Sequence, residues 1–165
     1  MVKLLAKINI SNENDYLKAV SSSIKLGQKK IFFYLNSHVL YEVKIDPELK
    51  EIISSSDYLI ADGYSIVWAI KKLLGKEIRK VVFTYSYLEF IRDFFIQNKI
   101  PIFFLGASKL NLDNAVRIEQ ESFPNLLIAG YHHGYFDKHL KSDEIIKSIN
   151  ESKAEILIVG MGCPI

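Results

Sequence analysis

Apolar runs alternate along this chain with segments whose apolar residues recur every three or four positions. Lys30-Ile-Phe-Phe-Tyr-Leu-Asn36 is a short apolar run and predicts a strand. Asp46-Pro47-Glu48 predicts a helix start, with a carboxylate to accept from the first turn and proline where no N–H partner is lost. Leu49, Ile52 and Ile53 follow it at helical spacing. Asp57-Tyr-Leu-Ile-Ala61 predicts a second short strand. Tyr64 to Leu74 predicts a helix with Ile66, Val67, Ile70, Leu73 and Leu74 on one side and Gly75 as its stop. Tyr87 to Gln97 predicts another, with Tyr87, Ile91, Phe94 and Phe95 on its apolar face.

The second half repeats the alternation more cleanly. Ile100 to Gly106 predicts a strand ending in glycine, and Leu110 to Glu121 a helix carrying Leu112, Ala115, Val116 and Glu119. Asn125 to Gly130 predicts a strand, Ser142 to Ser152 a helix with Ile145, Ile146 and Ile149 inward, and Ala154 to Val159 the last strand. Ile156 to Val159 is apolar without a break, which predicts burial on both faces. Strands separated by helices need crossovers, so they run parallel. The expected fold is α/β and Rossmann-like, a mostly parallel sheet flanked by helices, in one domain over residues 1–165. Near the N-terminus we expect a strand near 3–8 and a helix near 13–26.

Composition narrows the class. A length of 165 residues, 49% of them hydrophobic, suits one domain with a substantial core. Twenty-one basic against nineteen acidic residues give a net charge of +2, too balanced to argue for nucleic acid. The single cysteine, Cys163, excludes an internal disulfide and a cysteine-based zinc site. The first ten residues are too short and too charged for a signal peptide, and no apolar run reaches membrane-spanning length. The expected location is the cytoplasm.

Three glycine-bearing loops follow three consecutive expected strands: Leu105-Gly106-Ala107-Ser108, Gly130 to Phe136, and Gly160-Met-Gly-Cys-Pro164. On parallel strands they share one edge, where backbone N–H groups and helix N-termini favour a phosphate-bearing ligand. The competing reading is that glycine only relieves turn strain. No G-x-G-x-x-G or Walker loop occurs. Ala61-Asp62-Gly63 ends one expected strand and opens a helix. Asp62 reads either as a plain N-cap or as a carboxylate placed to take a proton from a substrate hydroxyl. A carboxylate tied up by backbone N–H groups is the weaker base. Asn36 follows another strand end and reads as a helix cap or as an orienting group for a sugar.

His132 and His133 are adjacent, so on extended backbone they would point opposite ways and could not chelate together. With His38 and His139 scattered, and no Asp-x-Asp, no metal site and no cofactor are expected. Cys163 reads as a small buried residue rather than a nucleophile. Phe83 to Phe90 is an aromatic run that reads as a sugar-stacking wall, core packing or a partner surface.

Ala61-Asp-Gly63, Leu73-Leu-Gly75, Phe104-Leu-Gly-Ala107, Phe123-Pro-Asn-Leu126, Gly134-Tyr-Phe136 and Ile158-Val-Gly-Met-Gly-Cys-Pro164 occur in this order. Over roughly residues 30–165 the chain thereby resembles the WecG/TagA/CpsF glycosyltransferases of bacterial surface-polymer synthesis. The resemblance implies inverting, metal-independent transfer from a UDP-sugar of N-acetylmannosamine or related type to a polyprenyl-diphosphate-linked acceptor. It implies Asp62 as general base and Asn36, Tyr34, Gly63, Thr84 and Ser86 near the sugar. It implies Gly106, Ala107, Gly134, Tyr135, Phe136, Gly160, Gly162 and Pro164 around the nucleotide.

Tyr34 stands where the family usually has threonine, and Ser86 where it usually has aspartate. The family continues past this proline with a Gln-Glu pair and a basic extension thought to bind the membrane, so the chain is expected to stop short of that extension. Action at the inner face of the membrane, and peripheral association only in a longer product, follow from the same resemblance. A homo-oligomer is compatible with it. The alternative is a non-catalytic relative that binds a nucleotide-sugar.

Overall fold

The structure is a computed structural model and describes residues 2–78 and 84–162, with side chains between 84 and 98 described from Glu89 onward. It divides into two compact units, the first ending at Phe90 and the second beginning at Ile91.

The first unit holds α1 (Val2–Leu5), α2 (Glu13–Lys25), β1 (Phe32–Leu35), α3 (Ser37–Ile45), α4 (Pro47–Ser55), β2 (Tyr58–Ala61) and α5 (Tyr64–Leu74). Three of these helices start where a short polar side chain can accept from the first turn. Asn12 accepts from Asp15 N–H, Asn36 from Val39 N–H and Asp46 from Leu49 N–H. β1 and β2 pair in parallel, Phe32 against Tyr58 through to Leu35 against Ala61. Leu35, Ile53, Leu59, Ile60, Ile66 and Ile70 are all but sealed from solvent. Burial of each contributes about 1.5–3 kcal/mol.

The expected strand near 3–8 is instead the helical turn α1, followed by a single parallel bridge of Ile10 to Ile60. The reason is an asparagine. Asn9 Nδ2 donates to Asp57 O at 2.9 Å, and Asn9 Oδ1 accepts from Leu59 N–H at 2.9 Å. Asn9 N–H and Ile10 N–H donate to Leu59 O as well, so the chain meets this edge of β2 at residues 9 and 10 rather than along 3–8, and α1 buries Leu4 and Leu5. On α5, Ile66 and Ile70 are buried as expected, but Leu73 at the helix end is 56% exposed.

The boundary falls within α6 (Thr84–Asn98), and the second unit continues with β3 (Ile102–Gly106), α7 (Lys109–Ser122), β4 (Ile128–His132), α8 (Lys138–Glu151) and β5 (Ile156–Gly160). The three strands form a parallel sheet in the order β4-β3-β5. Ile91, Phe95, Ile102, Phe103, Leu112, Val116 and Ile145 make its core. Arg92 fixes α6 to α7, with its guanidinium bridging both Glu119 oxygens at 2.9 and 3.1 Å and lying 3.9 Å over the Phe123 ring.

Three boundaries move from expectation. α8 begins four residues earlier than Ser142, because Asp137 accepts from His139 and Leu140 N–H. β4 is shifted towards its C-terminus, because Leu126 N–H is spent on Phe123 O in a turn. α6 begins at Thr84, not Tyr87. Of the helix faces, Ile145 is buried, but Ile146 is 53% exposed and Ala115 is exposed. β5 is not buried on both faces. Among the described residues it pairs only with β3, and alternation turns Leu157 and Val159 outward.

Candidate functional site

In the first unit the site residues meet because of strand register. Leu35 lies opposite Ala61, so the next residues, Asn36 and Asp62, emerge side by side at the C-terminal edge of β1 and β2. Asp62 N–H donates to Leu35 O at 3.0 Å and extends the pairing by one bond. The Asn36 side chain is oriented by its cap. Its Oδ1 accepts from Val39 N–H at 2.9 Å, so its amide nitrogen has to face the other way. That Nδ2 donates to Asp62 Oδ2 over a long 3.4 Å. The Asp62 carboxylate thus stands beside the Asn36 amide at the C-terminal edge of the two strands.

Asp62 is not the N-cap of α5. That position belongs to Gly63, at φ 88° and ψ 155°, with no side-chain cap. Few side chains tolerate this region, and a Cβ on Gly63 would meet no neighbour, so its need for glycine is conformational. The turn at Gly63 separates Asp62 from the helix and leaves its carboxylate at the strand edge. Tyr34 lies half-buried in β1, two residues before Asn36. Thr84 opens α6, and the side chains of Thr84 and Ser86 lie outside the described ones.

In the second unit the edge is built from backbone. Gly106 ends β3 opposite Gly160 at the end of β5. The sheet order reverses between these two strands: the chain goes from β3 out to β4, then crosses to β5 on the other side. Ligands of open α/β sheets bind outside the strand ends at such a reversal. Ala107 N–H donates to Gly160 O at 3.2 Å, and Gly134 N–H donates to Ala107 O at 2.9 Å, so the three glycine loops are laced together. A Cβ on Gly106 would lie 2.3 Å from Gly160 O. Behind the loop starts α7, with Ser108 Oγ accepting from Asn111 N–H.

Phe136 and Tyr135 follow Gly134, the first half-buried and the second exposed. Gly162 is described at φ 88°, while Cys163 and Pro164 lie outside the described residues, as does Phe83 of the aromatic run. The two histidines do not point opposite ways. Their ring centroids are 4.6 Å apart with planes at 31°, because β4 ends at His132 and His133 already belongs to the turn. Extended-strand alternation therefore does not apply to this pair, and the Gly134 that follows was the available signal. Among the described residues no three histidine, cysteine or acidic side chains gather as for a metal ion. A shallow groove between Pro101, Gln120, Pro124 and Leu126 to Ala129 lies at the opposite, N-terminal ends of β3 and β4 and is remote from this edge.

Parallel strands with helical crossovers and polar strand ends define an α/β protein of Rossmann-like type. Within that class, the sequence profile of the glycosyl transferase WecG/TagA/CpsF family matches residues 2–165, and the chain belongs to this family. It is similar to the N-acetylglucosaminyldiphosphoundecaprenol N-acetyl-beta-D-mannosaminyltransferase of Bacillus spizizenii, 28% identical over 141 residues, 84% of this chain and 53% of the relative. It is similar also to the UDP-Gal:alpha-D-GlcNAc-diphosphoundecaprenol beta-1,4-galactosyltransferase of Shigella boydii, 28% identical over 132 residues, 79% of this chain and 54% of the relative. An N-acetyl-beta-D-mannosaminyltransferase of the former specificity from Staphylococcus aureus is 28% identical over 149 residues, 82% of this chain and 56% of the relative. The chain thus spans about half the length of the curated relatives it matches. Among the described residues no helix is long and apolar enough to cross a membrane.

Proposed function

We propose that this chain, acting as one glycosyltransferase-like domain, serves an inverting, metal-independent transfer of a hexose-type sugar from a UDP-sugar to a polyprenyl-diphosphate-linked acceptor at the inner membrane face. The observation that carries this reading is the carboxylate of Asp62, held by the Asn36 amide at a parallel strand edge. Asp62 takes the proton of the acceptor hydroxyl while that oxygen attacks C1 of the sugar. The bond from C1 to the diphosphate oxygen breaks on the opposite face, and UDP leaves with the electron pair. Taken by itself, the glycine-lined edge of the second unit suits a diphosphate-bearing ligand, because backbone N–H groups and the start of α7 favour negative charge. The names of the relatives support the class of acceptor, and that of the Shigella relative supports a UDP-linked donor.

The test is release of UDP from UDP-sugars in the presence of a lipid-diphosphate-linked N-acetylglucosamine. Asp62→Asn should lower turnover about 10²–10⁴-fold, the range typical of a positioned general base, and leave UDP affinity unchanged. Unchanged turnover in this variant would sink the base assignment. UDP binding with no transfer by the parent chain would favour the binding-only alternative.

A further inference from the structure

We infer that His133 binds the diphosphate of the nucleotide, donating its Nε2–H to a phosphate oxygen, with His132 as its positioning residue. The inference rests on the nucleoside-diphosphate reading above and adds to it a side chain in an otherwise backbone-built edge.

The argument begins with protons. His132 Nδ1 lies 2.8 Å from His133 O, and a carbonyl only accepts, so His132 carries its proton on Nδ1. His133 Nδ1 is buried with no hydrogen-bond partner. A buried N–H without a partner is rarer than an unused lone pair, so His133 Nδ1 carries no proton and the ring's N–H is at Nε2. With Nδ1 inside, Nε2 is on the far side of a ring that is only half-buried. The ring is held in place: it packs on His132 at 4.6 Å, and Phe136 meets His132 edge-on at 5.5 Å.

Location follows from the backbone. His132 pairs with Leu105, the residue before Gly106. Gly134, the residue after His133, is bonded to Ala107 O, and a Cβ on it would lie 3.0 Å from Gly106 Cα. His133 therefore belongs to the reversal point of the sheet, where departure of a nucleoside diphosphate builds negative charge that a preorganised donor would stabilise.

Calorimetric titration of the full chain with UDP and with uridine tests this. His133→Phe keeps a ring and deletes the donor, and should weaken UDP about tenfold with uridine unchanged, as for loss of one hydrogen bond to a charged group. His133→Gln places an amide N–H near the Nε2 position and should stay within about threefold of the parent, whereas His133→Asn, whose amide reaches only the Nδ1 position, should behave like His133→Phe. UDP affinity unaltered in His133→Phe overturns the inference, as does equal weakening of UDP and uridine. If His133→Phe does not fold, equal UDP affinities in the Gln and Asn variants overturn it. A parent chain that binds no UDP overturns the underlying functional reading as well, which separates the two failures.

Discussion

The two strand edges of this molecule are made from different materials. In the first unit the edge chemistry is carried by two side chains, Asn36 and Asp62, brought together by the register of β1 on β2. In the second unit it is carried by backbone, with Gly106, Ala107, Gly134 and Gly160 in contact through main-chain bonds. A side-chain edge can lose its chemistry while the fold stands. At Gly106 the backbone edge admits no added atom, so substitution there disturbs the fold before it reveals anything about function.

The sharpest way to break this contrast is Gly106→Ala. The new Cβ would sit 2.3 Å from Gly160 O and 2.9 Å from Gly160 Cα, and both are backbone of a paired strand. Neither can swing aside, so β3 and β5 must part at their ends, at a cost of about 3 kcal/mol or more. Urea denaturation should show the loss as a lower midpoint. A midpoint equal to the parent's would mean the loops are not packed as described. Gly63→Ala is the matched change at the other edge. It meets no neighbour and pays only for its backbone angle, about 1–3 kcal/mol, so it should be the milder of the two by the same measurement. The reverse order would erase the distinction between close approach and conformation.

Asn36 sharpens the comparison further, because one side chain does two separable things. Asn36→Ala removes the cap of α3 and should cost about 1 kcal/mol in denaturant unfolding. Asn36→Ser keeps a cap oxygen but has no amide to offer Asp62, so its stability should stay within about 0.5 kcal/mol of the parent. Under the proposed function, transfer by Asn36→Ser should nonetheless fall about tenfold, as for one lost hydrogen bond to a charged group. Full transfer by Asn36→Ser would show that the 3.4 Å contact does not orient the base.

Much of this edge was legible in the sequence, for reasons that were local. Asp46-Pro47 opens α4 as capping chemistry requires, and Asn36 caps α3 because a short polar residue follows an apolar strand. The glycine loops were legible as an edge once the strands were taken as parallel. What escaped depended on contacts distant in sequence or on a single backbone angle. Asp62 reads as an N-cap until the turn at Gly63 removes it from the helix. A strand near 3–8 looks reasonable until Asn9, some fifty residues from its partner Leu59, takes over that pairing. The apolar run of β5 is silent about whether anything covers Leu157 and Val159. The histidine pair departs from strand alternation because His133 lies one residue past the end of β4.

The smallest effect concerns how the first edge's strands are tied at their opposite end. Asp57, just before β2, accepts from Ile31 N–H and from Lys30 Nζ, each at 2.9 Å. The Ile31 backbone bond, and after it the Lys30 ammonium, hold its carboxyl below the ordinary carboxylate range. Because the folded value is the lower one, this contribution is present above the unfolded carboxylate's titration and is lost as pH falls through that range to the folded value. Lys30 shifts the opposite way, raised chiefly by the hydrogen bond to Asp57, so its share persists at neutral pH and fades only as alkaline pH passes its folded value. The pair is partly exposed, and salt should weaken it. Asp57→Asn keeps an acceptor for Ile31 N–H but has no charge to titrate. Thermal unfolding of parent and variant should therefore differ modestly at neutral pH and converge in acid below the carboxylate range. A difference that persists unchanged in acid would assign the effect to hydrogen bonding alone, and the tie at this end would then be, like the glycine edge, a matter of backbone rather than charge.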